Sequence, residues 1–185
     1  MKSTVYLLTG SNLGDKKSYL DNAKQCLCRS IGDLLTESSV YESEPWGFVS
    51  ENTFLNQVLM YETSLTPNEI LQTIKTIEAE TGRIHTKGGY LSRNLDIDIL
   101  FYDNITLNSI DLTIPHPLLH KRRFTLLPLS EIAPNLIHPV LNMSVNELLE
   151  KCEDENVVNF NQNLFPVCPV KTCNDTTNEN TKPSS

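Results

Sequence analysis

Two aspartates separated by one residue are the strongest candidates for chemistry in this sequence. Asp96 and Asp98 lie in the otherwise apolar run 95–101. Because successive side chains of a strand point to opposite faces, both carboxylates share one face of a sheet. The other face is expected to carry Leu95, Ile97, Ile99 and Phe101. Paired carboxylates repel each other, and Mg²⁺, which prefers oxygen ligands and accepts substrate phosphates, offsets that repulsion. The alternative is a solvated pair on the wet face of an antiparallel sheet.

Two basic stretches favour a phosphate ligand near these carboxylates. The chain carries a net charge of −8. Residues 81–95 nevertheless contain Arg83 and Arg93 and no acid, and residues 112–130 contain Arg122 and no acid. The planar fork of arginine donates paired hydrogen bonds to phosphate oxygens. Metal-binding carboxylates beside arginines indicate phosphoryl transfer, whereas single surface arginines serve only solubility.

Three further features are consistent with a ligand site but each has a plain structural alternative. Residues 86–90 contain paired glycines, which suit either a closing lid or an ordinary connection. The pair His116 and His120 lacks an evident third metal ligand, so we interpret His116 as a phosphate contact, or else as a hydrogen-bonded turn residue. Phe54 and Asn56 share a strand face, where a ring and an amide can stack a flat heterocycle and bind its polar edge. Phe54 also suits a plain core position.

The apolar periodicity predicts an ordered series of strands and helices that positions these residues. We expect strands at 4–8, 37–41, 54–62, 95–102 and 105–107, and helices at 17–31, 66–82 and 124–132. Capping boxes at 66–69 and 144–147 mark two helix starts, and Gly32 and Gly82 mark helix ends. The turn after the first strand is expected to approach a ligand through Gly10. This order predicts an α+β domain with a mostly antiparallel sheet and helices packed on it.

Length and composition exclude several broad classes. The chain has 185 residues, enough for one domain with a sizeable core. We predict a catalytic domain at 1–160 and a polar, flexible tail at 161–185. Its acidity argues against nucleic-acid or anionic-membrane binding, and five scattered cysteines without a secretion signal indicate reduced thiols. We therefore expect a cytoplasmic monomer that binds small molecules, with no nucleic-acid or membrane partner.

Taken together, these segments resemble the hydroxymethyldihydropterin pyrophosphokinase family. The shared features are short motifs that occur in the family's order over about residues 3–150. They lie at 10–12, 41–47, 54–56, 77–78, 82–83, 93–99, 112–117, 122–124, 128–129 and 131–134. The Arg93 to Ile99 motif, with its paired aspartates, is the most distinctive.

The resemblance implies a ferredoxin-like α+β fold and a reaction of folate biosynthesis. In that reaction the hydroxyl of hydroxymethyldihydropterin attacks the β-phosphorus of ATP, the β,γ-diphosphate is transferred, and AMP leaves. Two alternatives remain: another Mg²⁺- and ATP-dependent small-molecule kinase, or a non-catalytic ferredoxin-like module that binds a nucleotide.

The resemblance also implies residue roles by position. Catalysis would fall to Arg83, Arg93, Asp96 and Asp98, with Asp96 and Asp98 binding two Mg²⁺ ions. ATP would contact Leu71, Lys75, Glu78, Ile99, Leu112, Thr113, His116 and Arg122. The pterin would contact Ser43, Pro45, Trp46, Phe54, Asn56 and Phe124. Two departures occur near the lid: His85 replaces a common arginine, and Tyr90 replaces a common tryptophan.

Overall fold

The computed structural model describes residues 2–81 and 94–160. Arg83, Arg93, the predicted lid at 86–90 and the predicted tail at 161–185 lie outside the described residues. The longer elements are β1 (Ser3–Ser11), α1 (Lys16–Ser30), β2 (Gly32–Glu37), β3 (Tyr41–Ser43), β4 (Phe54–Thr63), α2 (Pro67–Glu80) and β5 (Asp96–Tyr102). They are followed by β6 (Leu107–Asn108), β7 (Thr113–Ile114), a 3₁₀ turn (Leu119–Lys121), α3 (Arg123–Ile132), β8 (Ile137–His138), β9 (Met143–Ser144), α4 (Val145–Glu150) and β10 (Val158–Phe160).

The main sheet has six antiparallel strands. β1 lies between β4 and β5, β2 and β3 both pair with β4, and β10 extends the sheet beyond β3. The predicted α+β class with a mostly antiparallel sheet is confirmed. No helix within residues 2–81 or 94–160 has the length and apolar character needed to cross a bilayer.

Two apolar cores cover the two faces of this sheet. One core joins Leu7, Leu59 and Ile99 of the sheet to buried side chains of α1 and α2. The other joins Leu8 and Val58 to α3 and α4. Among the described residues, helices α1 and α2 thus pack on one face, whereas on the other face α3 and α4 leave one end of the strands open.

A β-bulge changes the face to which Phe101 belongs. Leu7 pairs with Ile99, but Tyr6 pairs with Phe101, so Leu100 is an extra residue in β5. Phe101 therefore lies on the face of Tyr6, whose ring it meets edge-on at 6.2 Å, and not on the face of Ile99. Our expectation that Phe101 shares a face with Leu95, Ile97 and Ile99 was wrong, because strict alternation stops at the bulge.

The predicted helix starts are confirmed by their hydrogen bonds. Both capping boxes, at 66–69 and 144–147, have the reciprocal side-chain and backbone contacts that satisfy the free N–H groups of the first turn. The Asp15 carboxylate caps α1 by accepting from the Ser18 amide at 3.1 Å. Gly32 directly follows α1 at φ 146°, where a Cβ atom would overlap the Glu62 carbonyl oxygen.

Two predicted strands are placed differently in the structure. Residues 38–40 link β2 to β3 without forming a strand, because side chains satisfy part of this backbone: Ser39 N–H donates to the Glu131 carboxylate at 3.0 Å. The strand expected at 105–107 does not return along β5. Only Leu107 belongs to a strand there, and β6 pairs with β7 in a separate two-stranded ribbon.

Candidate active site

A cavity of about 240 Å³ occupies the open end of the sheet. Its walls come from β1, β4, β5, the residues between β3 and β4, and the start of α3. The lining residues are Leu8, Gly10, Ser43, Glu44, Trp46, Phe48, Phe54, Asn56, Asp96, Asp98, His116, Arg122 and Phe124. Ten of the residues selected from sequence, Gly10 included, therefore lie around one cavity, although they are spread over more than a hundred positions of the chain.

Strand pairing explains why these residues meet. Gly10 of β1 lies opposite Asn56 of β4 on one side and opposite Asp96 of β5 on the other. Directly opposed residues share a face, and Asp98, two residues beyond Asp96, shares it as well. The predicted common face of the two aspartates is thus confirmed. A Cβ atom at Gly10 would lie 3.2 Å from Asn56 Oδ1, so glycine leaves the amide room on the cavity wall.

The acidic wall of the cavity faces a buried cation. Arg122 is only 6% exposed, and its Nη1 lies 3.5 Å from Asp98 Oδ2. The Asp98 side chain remains 31% exposed, so its oxygens are open to a ligand. A carboxylate pair with adjacent arginine is an arrangement that accommodates both a hard cation and phosphate oxygens.

His116 completes this wall as a neutral hydrogen-bond donor. Burial, followed by the nearby Arg122 charge, lowers the pKa of His116 to about 4, although Asp96 acts in the opposite direction. Its Nδ1 accepts from the Leu118 amide at 3.2 Å, which places the ring proton on Nε2. Nε2 lies 3.9 Å from Asp98 Oδ2. His116 therefore presents a fixed N–H at the carboxylate end of the cavity.

The opposite wall is aromatic with a buried amide. Phe54, Phe124 and Trp46 all line it, and Asn56 is 2% exposed. Asn56 Nδ2 donates to Ser43 Oγ at 2.9 Å, which fixes the plane of the amide. A ring surface beside an oriented amide suits a flat, polar-edged heterocycle.

The sequence reasoning missed three lining residues, Leu8, Glu44 and Phe48. Phe48 packs edge-on against Phe54, with ring centroids 6.1 Å apart. Phe48 stands in an aromatic, proline-containing segment directly before β4, and that composition was the available signal. Leu8 gave no signal, because only its pairing with Asp98 brings it to the cavity.

Seven of the residues assigned from the resemblance do not line this cavity. They are Pro45 and the six nucleotide candidates Leu71, Lys75, Glu78, Ile99, Leu112 and Thr113. Ile99 and Leu112 belong to the core on the far side of the sheet. Glu78 is 2% exposed and its Oε1 accepts from the Ile97 amide at 3.0 Å, so this carboxylate holds β5. The pterin role of Pro45 and the nucleotide roles of the other six residues stay predictions. The catalytic roles of Arg83 and Arg93, which lie outside the described residues, also stay predictions.

Comparison with known proteins agrees with this geometry. The model of the 7,8-dihydro-6-hydroxymethylpterin-pyrophosphokinase (HPPK) family matches residues 6–134. The 2-amino-4-hydroxy-6-hydroxymethyldihydropteridine pyrophosphokinase of Aquifex aeolicus is 43% identical over 145 residues, covering 78% of this chain and 89% of the relative. The folic acid synthesis protein FOL1 of Dictyostelium discoideum is 40% identical over 177 residues, covering 92% of this chain but only 25% of that larger protein.

Solved structures agree at the level of the fold. The wild-type HPPK-DHPS of Plasmodium falciparum, crystallised with pteroate, superimposes with a TM-score of 0.68 at 18% identity. The match covers 82% of this chain and 42% of that one. This likeness confirms the predicted ferredoxin-like fold. With a family model matching most of the chain and a relative of nearly equal extent at 43% identity, the chain belongs to the 7,8-dihydro-6-hydroxymethylpterin-pyrophosphokinase family.

Proposed function

We infer that this protein transfers the β,γ-diphosphate of ATP to the hydroxymethyl group of hydroxymethyldihydropterin, with release of AMP. One observation carries this inference. A single cavity has paired carboxylates and a buried arginine on one wall and an aromatic wall with an oriented amide on the other. The two walls suit the two substrates of a pyrophosphokinase, and the family relationship supports the same reaction.

The pterin occupies the aromatic end of the cavity in this proposal. Phe54 and Phe124 flank its bicyclic ring, and Asn56 hydrogen-bonds its polar edge while Ser43 holds the amide. Holding the alcohol in place supplies much of the catalysis, because fixed geometry replaces the entropy of a bimolecular encounter. Trp46 completes the enclosure. A pterin contact by Pro45, which does not line the cavity, is implied by the resemblance alone.

The ATP phosphates occupy the acidic end, with divalent metal ions held by Asp96 and Asp98. The donor set fits Mg²⁺, since both side chains offer only oxygen atoms, share a face and remain partly open to solvent. Two ions are expected, and when bound they neutralise phosphate charge. Arg122 donates to phosphate oxygens, and His116 donates through its protonated Nε2. Arg83 and Arg93 would stabilise the transferring diphosphate from outside the described residues.

In the transfer step the pterin hydroxyl oxygen bonds to the β-phosphorus, and the bond from that phosphorus to the α,β-bridging oxygen breaks. AMP leaves with the bridging oxygen. His116 is unsuited to accept the hydroxyl proton, because Nε2 already carries a proton and Nδ1 accepts from Leu118. A loose transition state requires little early proton removal, so a late transfer to Asp98 suffices in this proposal.

Product analysis tests the reaction directly. The chain is incubated with ATP, Mg²⁺ and hydroxymethyldihydropterin, and the released nucleotide is separated and measured. AMP formed in equal amount to pterin diphosphate is the expected result. ADP would indicate a different kinase, and the absence of any nucleotide product would indicate a non-catalytic nucleotide-binding module. Omission of Mg²⁺ is the matched control and should abolish AMP formation.

We also propose that residues 1–160 form the catalytic unit and that the protein acts as a cytoplasmic monomer. A chain truncated after Phe160 keeps the last strand, β10, that pairs with β3. It should retain the turnover of the full chain and elute as a monomer in gel filtration. A large loss of turnover would assign a catalytic role to 161–185.

A further inference from the structure

One guanidinium group connects the two ends of the cavity. The Cζ atom of Arg122 lies 4.9 Å from the centre of the Trp46 ring and 5.7 Å from that of Phe124. Its Nη1 lies 3.5 Å from Asp98 Oδ2. Trp46 belongs to the loop between β3 and β4, whereas Arg122 directly precedes α3. Trp46 therefore touches a residue of the phosphate end, although its own loop encloses the pterin end.

The stacking of arginine on tryptophan has a physical consequence at this position. A guanidinium over the face of an indole is attracted by the ring quadrupole, and the attraction strengthens when the pair is desolvated. Arg122 is 6% exposed, so the stronger attraction of a desolvated pair applies here. The flat stack also limits the rotamers of a long side chain, which leaves its N–H fork directed toward Asp98.

We propose that Trp46 is a positioning residue for diphosphate transfer, whose ring holds the Arg122 guanidinium in place at the phosphate end. This inference rests on the proposed function. The loop that encloses the pterin would thus also fix the position of Arg122, the phosphate-binding arginine. The competing interpretation is that Trp46 forms only a wall of the pterin slot.

Two substitutions of Trp46 separate these interpretations. Trp46→Phe keeps an aromatic face, whereas Trp46→Leu keeps apolar bulk without one. We expect Trp46→Leu to lower kcat about thirtyfold, the size of a desolvated cation–π contact, with little change in the pterin KM. Trp46→Phe should restore most of the lost kcat. A raised pterin KM at unchanged kcat, or equal losses in both variants, would overturn the proposal.

Phe48 provides the matched control in the same loop. It also lines the cavity, but its ring packs on Phe54 at the pterin end. Phe48→Leu should therefore raise the pterin KM and leave kcat nearly unchanged. The same kcat loss in Phe48→Leu as in Trp46→Leu would mean that any change in this loop slows transfer, and the specific role of Trp46 would be rejected.

A double-mutant cycle measures the contact itself. In an Arg122→Gln background, Trp46→Leu should have no further effect on kcat, because the group that it positions is gone. The expected coupling is about thirtyfold. Independent, multiplicative losses would show that Trp46 acts on something other than Arg122.

Fluorescence gives a readout that needs no turnover and no variant. Trp46 is the only tryptophan in the chain. Addition of saturating ATP and Mg²⁺, in the absence of pterin, should change the emission of Trp46. Excitation at the red edge of the indole band avoids absorption by adenine. Equilibrium dialysis verifies occupancy. An unchanged spectrum at verified occupancy would overturn the proposal. Failure to form AMP in the product analysis would reject the proposed reaction but would leave the change in Trp46 emission valid.

Discussion

Alternate residues of β5 lie in two different environments, the apolar core and the cavity. Ile97 and Ile99 are 5% and 4% exposed in the core beneath α1 and α2. Asp96 and Asp98 line the cavity on the other face. The contrast comes from what covers each face. Helices close the isoleucine face along its length, whereas α3 and α4 cover the second face only as far as Leu100 and Phe101.

The cavity therefore lies where the layer formed by α3 and α4 ends. Leu8, in β1 opposite Asp98, still belongs to the α3 and α4 core, and Gly10, two residues further, already lines open space. Within residues 96–99 of β5, alternate side chains thereby belong to the core and to the cavity wall. Substitutions on the two faces should consequently separate into losses of turnover and losses of folding free energy.

The largest expected effect is on the aspartate face. Asp98→Ala should lower kcat by about a hundredfold or more, comparable to the loss of a major charge-stabilising group. It should change the free energy of unfolding little, because relief of the repulsion from Asp96 offsets the loss of the 3.5 Å contact with Arg122. Steady-state AMP release and urea unfolding measure the two quantities.

Asp33→Ala is the matched control in the same sheet. Asp33 is exposed in β2, opposite Glu62, far along β4 from Asn56 at the cavity. Its removal should leave kcat unchanged. If Asp98→Ala retained wild-type turnover, or if Asp33→Ala lost as much, the division between the two faces would fail.

Substitution of Glu78, which binds the backbone of β5 between the two aspartates, should give the second largest effect. Glu78, buried on α2, accepts from the Ile97 amide, which lies between the two aspartates. Glu78→Ala should lower the free energy of unfolding by about 1–3 kcal/mol, because the amide loses its buried acceptor. Turnover should fall as well, since the aspartates move with that backbone.

Glu78→Gln tests the mechanism of that effect. Glutamine keeps a carbonyl oxygen for the Ile97 amide, so this variant should recover most of the stability lost in Glu78→Ala. Equal urea midpoints for the alanine variant and the wild type would show that the hydrogen bond does not hold β5.

Sequence patterns predicted those features that depend on local rules. The alternation around Asp96 and Asp98 gave their common face, and the capping boxes at 66–69 and 144–147 gave two helix starts. Phe101 escaped prediction, because a bulge depends on the fit between β5 and β1 and leaves no local signal. The link at 38–40 escaped for a similar reason, since its acceptor, Glu131, lies about ninety positions away.

The sequence predicted which residues belong to the candidate site better than it predicted the contacts among them. Asp96, Asp98 and Arg122 were selectable by residue type and by clustered charge. Their actual relation, with Arg122 between Asp98 and Trp46, depends on how α3 docks against the sheet. Burial of Glu78 was equally hidden, because a glutamate on an amphipathic helix ordinarily faces solvent.

The isoleucine face should show the reverse of the Asp98 result, on a smaller scale. Ile99→Val removes one methylene from a side chain that is 4% exposed. It should lower the free energy of unfolding by about 1 kcal/mol, the usual cost of this substitution. Urea unfolding measures that loss, and kcat should equal the wild-type value. A kcat loss without a stability loss would contradict the separation of the faces.

The smallest expected effect extends the comparison to the opposite edge of the sheet. Tyr41 in β3 pairs with Asn56, so it lies on the face that bears the cavity. Its hydroxyl donates to Glu131 Oε2 at 3.1 Å. Burial raises the pKa of Tyr41 to about 12 from 10.0, assisted by the charge of Glu131 and by this hydrogen bond.

The direction of the resulting pH dependence follows from the raised pKa. Between pH 10 and about 12 the unfolded state has lost the phenol proton and the folded state retains it. Rising pH therefore favours unfolding in this window, and below pH 10 the group contributes no slope. Tyr41→Phe should reduce the alkaline fall in the free energy of unfolding while leaving kcat near neutral pH unchanged. Urea unfolding at several alkaline pH values measures the slope, and phenolate absorbance, taken as wild type minus variant, isolates the late titration from Tyr6, whose pKa burial also raises. An identical slope in both proteins would mean that the Glu131 contact does not hold the phenol proton of Tyr41 in the folded state.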